Sequence, residues 1–418
     1  MTFGPWGRGA GRSASALALA VLLAGVPAHA QDTAASSSIT LRQAFESVWQ
    51  RQPEARSAAV RRDATSARLE AAQSWTPEPA ALEVSARSDR PVRNNGQREY
   101  EAGVAVPLWL PGERGRAQAV AEAERQAVDS RVLAAQLRVA GEVREAWWSV
   151  HRARLEADLA RARLANAQQL AADVARRVAA GDLSRADQHQ AEGAVAAARA
   201  AAAEASALQA QALQTLQALV GVGVSQTLPD TPEAVPATTA QLPHPLLVEL
   251  QDRAEVARRS QALASVQRRA NPELALALTR ERDGFGEAYG RSITVGVRIP
   301  LGSDSRHRAR VAAASAEQIE AESLLGVEQQ RLQGELAAAR ARVDGAREVV
   351  EAAAQRAALA GQTRGFFDKA FRLGEADLPT RLRVELEAFE AERSQARARI
   401  ELAQALSQWR QAMGLLPE

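Results

Sequence analysis

Apolar and polar residues alternate strictly in two separate stretches of the chain, residues 97–108 and 290–301. The apolar or aromatic positions are Tyr100, Ala102, Val104, Val106 and Leu108 in the first stretch, and Ile293, Val295, Val297, Ile299 and Leu301 in the second. A weaker alternation precedes each stretch, over residues 80–89 and 273–282, and Asn94-Asn95-Gly96 is typical of a turn. The pattern predicts two β-hairpins, over residues 80–108 and 273–301.

Helical patterns fill most of the remaining sequence. Residues 112–180 contain no proline, and valines at heptad-like spacing alternate with alanine, which predicts a long coiled-coil helix of roughly 100 Å. Gly181 is expected to end this helix in a left-handed conformation, and Asp182 or Ser184 to begin a return helix over residues 184–219. Thr40 opens a helix over residues 40–74, with a kink or break where Pro53 interrupts it.

The whole pattern occurs twice at a constant offset of 193 residues, since Gly103, Gly181 and Gly221 recur as Gly296, Gly374 and Gly414. Such a duplication indicates that the chain consists of two structurally equivalent halves. Repeat 1 spans residues 31–221, a linker spans 222–243, and repeat 2 spans 244–418, with helix 245–270, hairpin 273–301, long helix 304–373 and return helix 379–413. In repeat 1 the opening and return helices together match the long helix in length; the match is less close in repeat 2. We therefore expect two short helices end to end beside each long one, in a mainly α fold.

Composition indicates an exported protein. Arg8 and Arg12, an apolar run over residues 14–25 and the small-x-small site Ala28-His29-Ala30 predict a signal peptide cleaved after Ala30. Cleavage removes two of the 52 basic residues and none of the 50 acidic ones, leaving a balanced charge that excludes a general role in nucleic-acid binding. The chain has no cysteine, so we expect neither disulfides nor a lipidated N-terminal cysteine.

The hairpins allow two interpretations. An amphipathic sheet on a soluble core shows the same alternation, but strands of about ten alternating residues also suit an outer membrane. Export, and the scarcity of other apolar sequence that could cover the hairpins, favour the membrane. Four strands cannot close a barrel, and lipid does not tolerate open edges. We therefore expect a homotrimer with a 12-stranded transmembrane β-barrel around a water-filled lumen.

The order of export signal, helix, hairpin, long helix, glycine turn and return helix, repeated once, resembles the TolC-like outer-membrane efflux proteins. Its most specific parts are the hairpin exits Val106-Pro107-Leu108 and Ile299-Pro300-Leu301 and the turns over residues 177–184 and 371–378. The second turn looks most like the cobalt–zinc–cadmium branch. The resemblance implies a trimeric duct in which a long periplasmic α-helical barrel continues the β-barrel. It also implies docking to a periplasmic adaptor, which couples the duct to an inner-membrane pump.

The resemblance assigns the turns to adaptor docking and to a narrow aperture. The residues concerned are Gly181, Asp182, Leu183, Ser184, Asp187, Gly374, Glu375, Asp377 and Leu378, with Pro107 and Pro300 at the hairpin exits. Acidic side chains there could attract cations by Coulomb forces. The alternative is that they cap helices, as Asp182 and Asp377 are placed to do. The family often has an acidic residue shortly after the second glycine; Asp187 fills this position in repeat 1, whereas Arg381 stands in repeat 2.

No pattern in the sequence indicates an enzyme, a cofactor or a bound metal. His151, His189, His244 and His307 are isolated, without the spacing of paired metal ligands. The sequence thus predicts a passive outer-membrane exit duct of a tripartite efflux system of the RND type, carrying divalent heavy-metal cations. A drug-efflux or type I secretion duct is the alternative in the same class, and a soluble periplasmic coiled-coil scaffold or adaptor is the alternative from another class.

Overall fold

A computed structural model describes residues 39–221, 228–236 and 243–418. The signal peptide, its cleavage site and most of the predicted linker lie outside these residues. The first repeat contains helices α1 and α2, strands β1 and β2, and helices α3 and α4. Their bounds are Leu41–Trp49, Pro53–Gln73, Ala81–Ser88, Arg98–Pro107, Glu113–Ala180 and Arg185–Val220.

The second repeat contains one helix before its hairpin and two after it. These are α5 (Pro245–Val266), β3 (Glu273–Arg282), β4 (Gly290–Arg298), α6 (Asp304–Arg372) and α7 (Leu378–Ala412). The mainly helical fold with a small antiparallel sheet is the one that the sequence predicts.

The opening helix of repeat 1 is broken at Pro53, where the sequence suggests a kink or break, and that of repeat 2 is shorter than expected. Two helices replace the single helix 40–74, because Gln52 is extended and Pro53 is the first residue of α2. Helix α5 ends at Val266 instead of residue 270. Glu113, which is only 3 % exposed, accepts hydrogen bonds from the side chains of Gln267 (2.8 Å) and Asn271 (2.7 Å) and holds this segment outside the helix.

The short helices lie end to end along the long ones. Helix α3 packs against α2 and α4, and the end of α4 meets the chain after α1, where Arg51 donates to the Leu219 carbonyl. In the second repeat α5 and α7 both pack against α6. Contacts of α3 with α5 and α7 join the two repeats into one helical layer.

Small side chains allow close helix packing, and two tryptophans are enclosed in the main core. Trp147 and Trp148 are each 1 % exposed in the core that α3 forms with α1, α4 and α7. The Trp148 indole donates to Ser407 Oγ at 2.8 Å, so its buried N–H is satisfied. In the linker, Glu233 forms a bidentate ion pair with Arg144 (2.7 and 2.9 Å), and Arg410 lies 3.3 Å from it.

One sheet of four antiparallel strands, in the order β1-β2-β3-β4, contains both hairpins. Val104 of β2 pairs with Leu82 of β1 and with Leu276 of β3, so the two repeats are joined through β2 and β3. The sheet precedes the long helices and the glycine turns follow them, so sheet and turns lie at opposite ends. Within the described residues, no helix combines the length and apolarity needed to cross a membrane.

Candidate functional site

One face of the sheet is apolar and exposed. Its large side chains are Leu82, Val84, Tyr100, Val104, Leu274, Leu276, Leu278, Ile293, Val295 and Val297, and they remain 40–74 % exposed. The register aligns them in cross-strand rows, such as Leu82, Val104, Leu276 and Val295. Such an extended apolar surface marks an interaction with lipid or protein.

The opposite face is polar or small. Ser85, Glu101, Thr279 and Ser292 form one cross-strand row on it. Gly103 and Ala105 follow toward the helices, and Ala105 is 7 % exposed. The sheet therefore separates an apolar side from a polar side through its full width.

Both edges of the sheet are open within the described chain. Strand β1 pairs only with β2 and β4 only with β3, and every residue of β1 is exposed. Unpaired edge groups favour addition of another strand. The predicted hairpin exits lie at the helix end of the sheet: Pro107 is the last residue of β2, and Pro300 follows β4 by two residues; both are half-buried.

The two glycine turns lie at the end of the helical layer opposite the sheet. Gly181 has φ 85° and Gly374 φ 79°, the left-handed conformation that their positions predict. The Asp182 N–H donates to the Arg177 carbonyl at 2.9 Å, and the Glu375 N–H to the Ala370 carbonyl at 2.9 Å. Each turn thus satisfies the last carbonyl groups of its long helix.

Ser184, rather than Asp182, caps the first return helix. Its hydroxyl accepts from the Asp187 N–H (3.2 Å), while its own N–H donates to the Asp187 carboxylate (3.0 Å). The hydroxyl and N–H of Ser184 lower the pKa of Asp187, against an opposite effect of the nearby Asp377 carboxylate. In the second turn Asp377 is the cap, and hydrogen bonds from Thr380 lower its pKa.

A small core connects the two turns. Phe371 (2 % exposed) and Leu378 (1 %) pack with Leu170 and Val174 of the first repeat, and Leu183 packs against the cluster. Two guanidinium groups lie over the Phe371 ring: Arg177 at 4.8 Å and Arg381 at 5.0 Å from its centroid. The sequence did not identify Phe371, because Leu170 and Val174 lie about 200 residues earlier in the chain.

Several residues assigned to docking lie at the exposed tip, but others do not. Gly181, Asp182, Ser184, Gly374, Glu375 and Asp377 are exposed, and Leu373, which the sequence did not single out, is 74 % exposed. Leu183 and Asp187 are half-buried. Leu378 is enclosed by its own chain, so within this protomer it supports the turn from inside.

Arg381 does not occupy the position that corresponds to Asp187. The caps Ser184 and Asp377 are 193 residues apart, which makes Thr380 the counterpart of Asp187. Arg381 is 19 % exposed and pairs with Asp368 at 2.6 Å. The second turn therefore carries its carboxylate at the cap, three residues earlier than the first.

A cleft of about 1210 Å³ opens between α2, α3, α5 and α6 near the middle of the layer. Its lining includes seven arginines and four glutamates. Some are paired, such as Arg68 with Glu124 at 3.2 Å, whereas Arg131 and Arg253 form no ion pair with any described residue. The described residues contain no group of three or more potential metal ligands.

Comparisons with known proteins agree with this arrangement. Residues 45–222 match the sequence model of the outer membrane efflux protein family. A comparison with curated protein sequences finds no match. Among solved structures, a membrane protein from Pseudomonas aeruginosa is 20 % identical, with a TM-score of 0.72 over 91 % of this chain and 92 % of its own.

Two further structures share the fold. CusC, whose structures concern folding and transmembrane channel formation, is 18 % identical, with a TM-score of 0.74 over 90 % of this chain and 93 % of its own. The outer membrane protein VceC from Vibrio cholerae is also 18 % identical, with a TM-score of 0.72 over 90 % and 97 %. At these identities the likeness establishes the fold.

Proposed function

We propose that this chain, whose residues 45–222 match the outer membrane efflux protein family, forms the outer-membrane channel of a tripartite, RND-type efflux system. Cargo would diffuse passively through the duct, while an inner-membrane pump supplies the energy through a periplasmic adaptor. The family match over residues 45–222 and the fold shared with CusC and VceC support this proposal.

The single observation that carries the proposal is the uncovered apolar face of the sheet. Its large side chains are 40–74 % exposed, so the described helices leave this face free. Fully burying a side chain of this size is worth about 1.5–3 kcal/mol, so covering the exposed part of each one in hydrocarbon is worth roughly half of that. Lipid supplies that environment on one side, and the polar row of Ser85 and Thr279 suits water on the other.

The open edges lead to a homotrimer. In hydrocarbon every backbone N–H and C=O needs a partner, so β1 of one protomer must pair with β4 of the next. Three protomers with four strands each form a 12-stranded barrel, and their helical layers continue it as an α-helical barrel in the periplasm. This size leaves room for a water-filled lumen.

The two turns are the proposed docking surface for the periplasmic adaptor. Their exposed residues Asp182, Ser184, Glu375 and Asp377 lie at the end farthest from the sheet. The core around Phe371 holds both turns in one fixed arrangement. A partner would therefore meet a preformed surface, with a smaller entropy cost on binding.

Divalent heavy-metal cations are the proposed cargo, from the resemblance of residues 371–378 to the cobalt–zinc–cadmium branch. A duct for drugs or for type I secretion is the second candidate, and the arginine-rich cleft favours it. A wall with more arginine than glutamate attracts anionic groups and repels metal cations if it faces the duct. A deletion strain sensitised to metals supports the first candidate, and one sensitised only to organic drugs supports the second.

Single cysteines test the channel directly, because the chain contains none of its own. Thr294 and Val295 are neighbours on opposite faces of β4, which makes Thr294→Cys and Val295→Cys a matched pair. In intact outer membranes we expect a water-soluble maleimide to label T294C, and V295C to react only with a lipid-soluble reagent. Native mass spectrometry in detergent is expected to give three copies.

Equal labelling of both variants by the water-soluble reagent contradicts a lipid-facing sheet. Release of the wild-type protein with the periplasmic contents, without detergent, favours the soluble scaffold. A monomer in mild detergent contradicts the closed barrel.

A further inference from the structure

The apolar face of the sheet changes character near the hairpin loops. Three successive cross-strand rows toward the helices are apolar throughout, for example Val84, Ala102, Leu278 and Ile293. The next row is Ala86, Tyr100, Arg280 and Arg291, and the last contains Ser88, Arg98 and Arg282. These two rows, next to the surface assigned to lipid, thus contain four arginines and no acidic residue.

Only one of these four arginines forms an ion pair with a described residue. Arg98 pairs with Asp89 at 3.0 Å, and Arg282 donates to the Gly96 carbonyl at 2.9 Å. Arg280 and Arg291 form no ion pair with any described residue, although they lie directly opposite each other on β3 and β4. Like charges in directly opposed positions destabilise a sheet, so an anion bound by this pair would reduce the repulsion.

Aromatic rings lie beside one member of the pair. The Arg280 guanidinium lies 4.3 Å from the Tyr289 ring centroid, and the Tyr289 and Tyr100 rings are 6.5 Å apart. Tyrosine and arginine side by side are typical of the boundary between hydrocarbon and headgroups. A guanidinium group can donate hydrogen bonds to two oxygens of one phosphate at the same time. Arginine at this boundary therefore suits a lipid phosphate group.

We propose that Arg280 and Arg291 form a binding site for the phosphate group of an outer-leaflet lipid. The proposal rests on the function proposed above, because it requires the sheet to cross the membrane with its loops outward. The lipid chains would cover Leu278 and Ile293, in the next row, while Tyr100 and Tyr289 flank the headgroup. The phosphate would remove the repulsion within the arginine pair.

Native mass spectrometry of the full-length protein, delipidated in a neutral detergent, tests the site. The probe is bis-phosphorylated lipid A, compared with its dephosphorylated form and with inorganic phosphate. We expect the double variant R280Q/R291Q to bind lipid A about tenfold more weakly than the wild type. The control R87Q/R90Q removes two arginines at the same end, one from the polar face and one from the loop, and should change binding less than twofold.

Each other outcome counts against the site. Equal weakening by both double variants indicates general charge attraction, and equal binding of dephosphorylated lipid indicates that the apolar face alone suffices. Competition by inorganic phosphate at the lipid concentration indicates a free-phosphate site. Retention in the outer membrane is scored first: wild-type protein that fails to insert refutes the channel, whereas insertion without a response to R280Q/R291Q refutes only the lipid site.

Discussion

The two glycine turns have the same backbone conformation, but their side chains contribute unequally to the core between them. Gly181 and Gly374 have φ values of 85° and 79°, and the same pair of carbonyl-directed hydrogen bonds closes each turn. Positions 193 residues apart nevertheless differ in burial. Val178 is half-buried, whereas its counterpart Phe371 is 2 % exposed; Arg185 is exposed, whereas its counterpart Leu378 is 1 % exposed.

This difference shows what the duplication preserved. The geometry that reverses the chain depends on local residues and is present in both copies. In the core that fixes the turns against each other, the second repeat supplies the large enclosed side chains Phe371 and Leu378. The first turn therefore packs onto the second, and changes in the second turn should affect both.

Truncation of Phe371 should have the largest effect. Phe371→Ala leaves a cavity among Leu170, Val174 and Leu378 and should cost about 3 kcal/mol of local stability. Hydrogen exchange in both turns is then expected to be faster by roughly two orders of magnitude.

Two variants make this prediction specific. Val178→Ala, at the equivalent position of the first turn, should cost less than half as much, and Phe366→Ala, at a 68 % exposed position, about 0.5 kcal/mol or less. Equal effects of Phe371→Ala and Val178→Ala would show that the two turns share the packing evenly.

The unequal packing could not be predicted from the sequence, although the turns could. Gly181 and the residues around it form a local pattern, because left-handed glycine at a helix end needs no distant partner. Phe371 acquires its role from Leu170 and Val174, about 200 residues earlier. That Ser184 rather than Asp182 caps the return helix could have been predicted from local sequence, since Asp187 three positions later completes a capping box.

The same limit explains the early end of α5. Its sequence favours a helix to residue 270, but Glu113 of α3 competes for Gln267 and Asn271. Likewise, Glu233 lies in a segment that reads as a polar linker, and only the fold brings Arg144 and Arg410 to it. Alternating strands, by contrast, were predictable in detail, because their faces follow from a period of two.

Loss of Arg381 should have an intermediate effect. Arg381 and Arg372 both donate to Asp368, at 2.6 and 2.5 Å, but Arg381 is 19 % exposed and Arg372 is 74 % exposed. Arg381 also lies over the Phe371 ring. We expect Arg381→Gln to cost about 1–2 kcal/mol of local stability and Arg372→Gln about 0.5 kcal/mol or less.

Hydrogen exchange of residues 366–382 measures both variants under the same conditions. The comparison separates burial from charge, because each substitution removes one positive charge next to the same carboxylate. If Arg372→Gln accelerates exchange as much as Arg381→Gln, the charge on Asp368 matters more than the contact with Phe371.

The smallest effect is expected from lowering the pH, which should weaken the N-terminal caps of both return helices. The carboxylates of Asp187 and Asp377 have pKa values below the ordinary 3.8, so their contribution to stability is fully present above the unfolded-state pKa. It is lost as pH falls through the folded-state pKa, which lies below 3.8. Protection of the first turn of α4 and of α7, corrected for intrinsic exchange rates, should therefore fall only in this acidic range.

Asp187→Asn and Asp377→Asn separate the two turns in that experiment. Asparagine can still accept a hydrogen bond from the helix N-terminus but does not titrate in this range. We expect Asp187→Asn to remove the acid response of α4 alone, and Asp377→Asn that of α7. Because the Asp377 carboxylate raises the pKa of Asp187, Asp377→Asn should also shift the response of Asp187 to slightly lower pH. If α7 of Asp377→Asn still loses protection in acid, a group other than Asp377 causes that loss. The two turns would then differ in electrostatics as well as in packing.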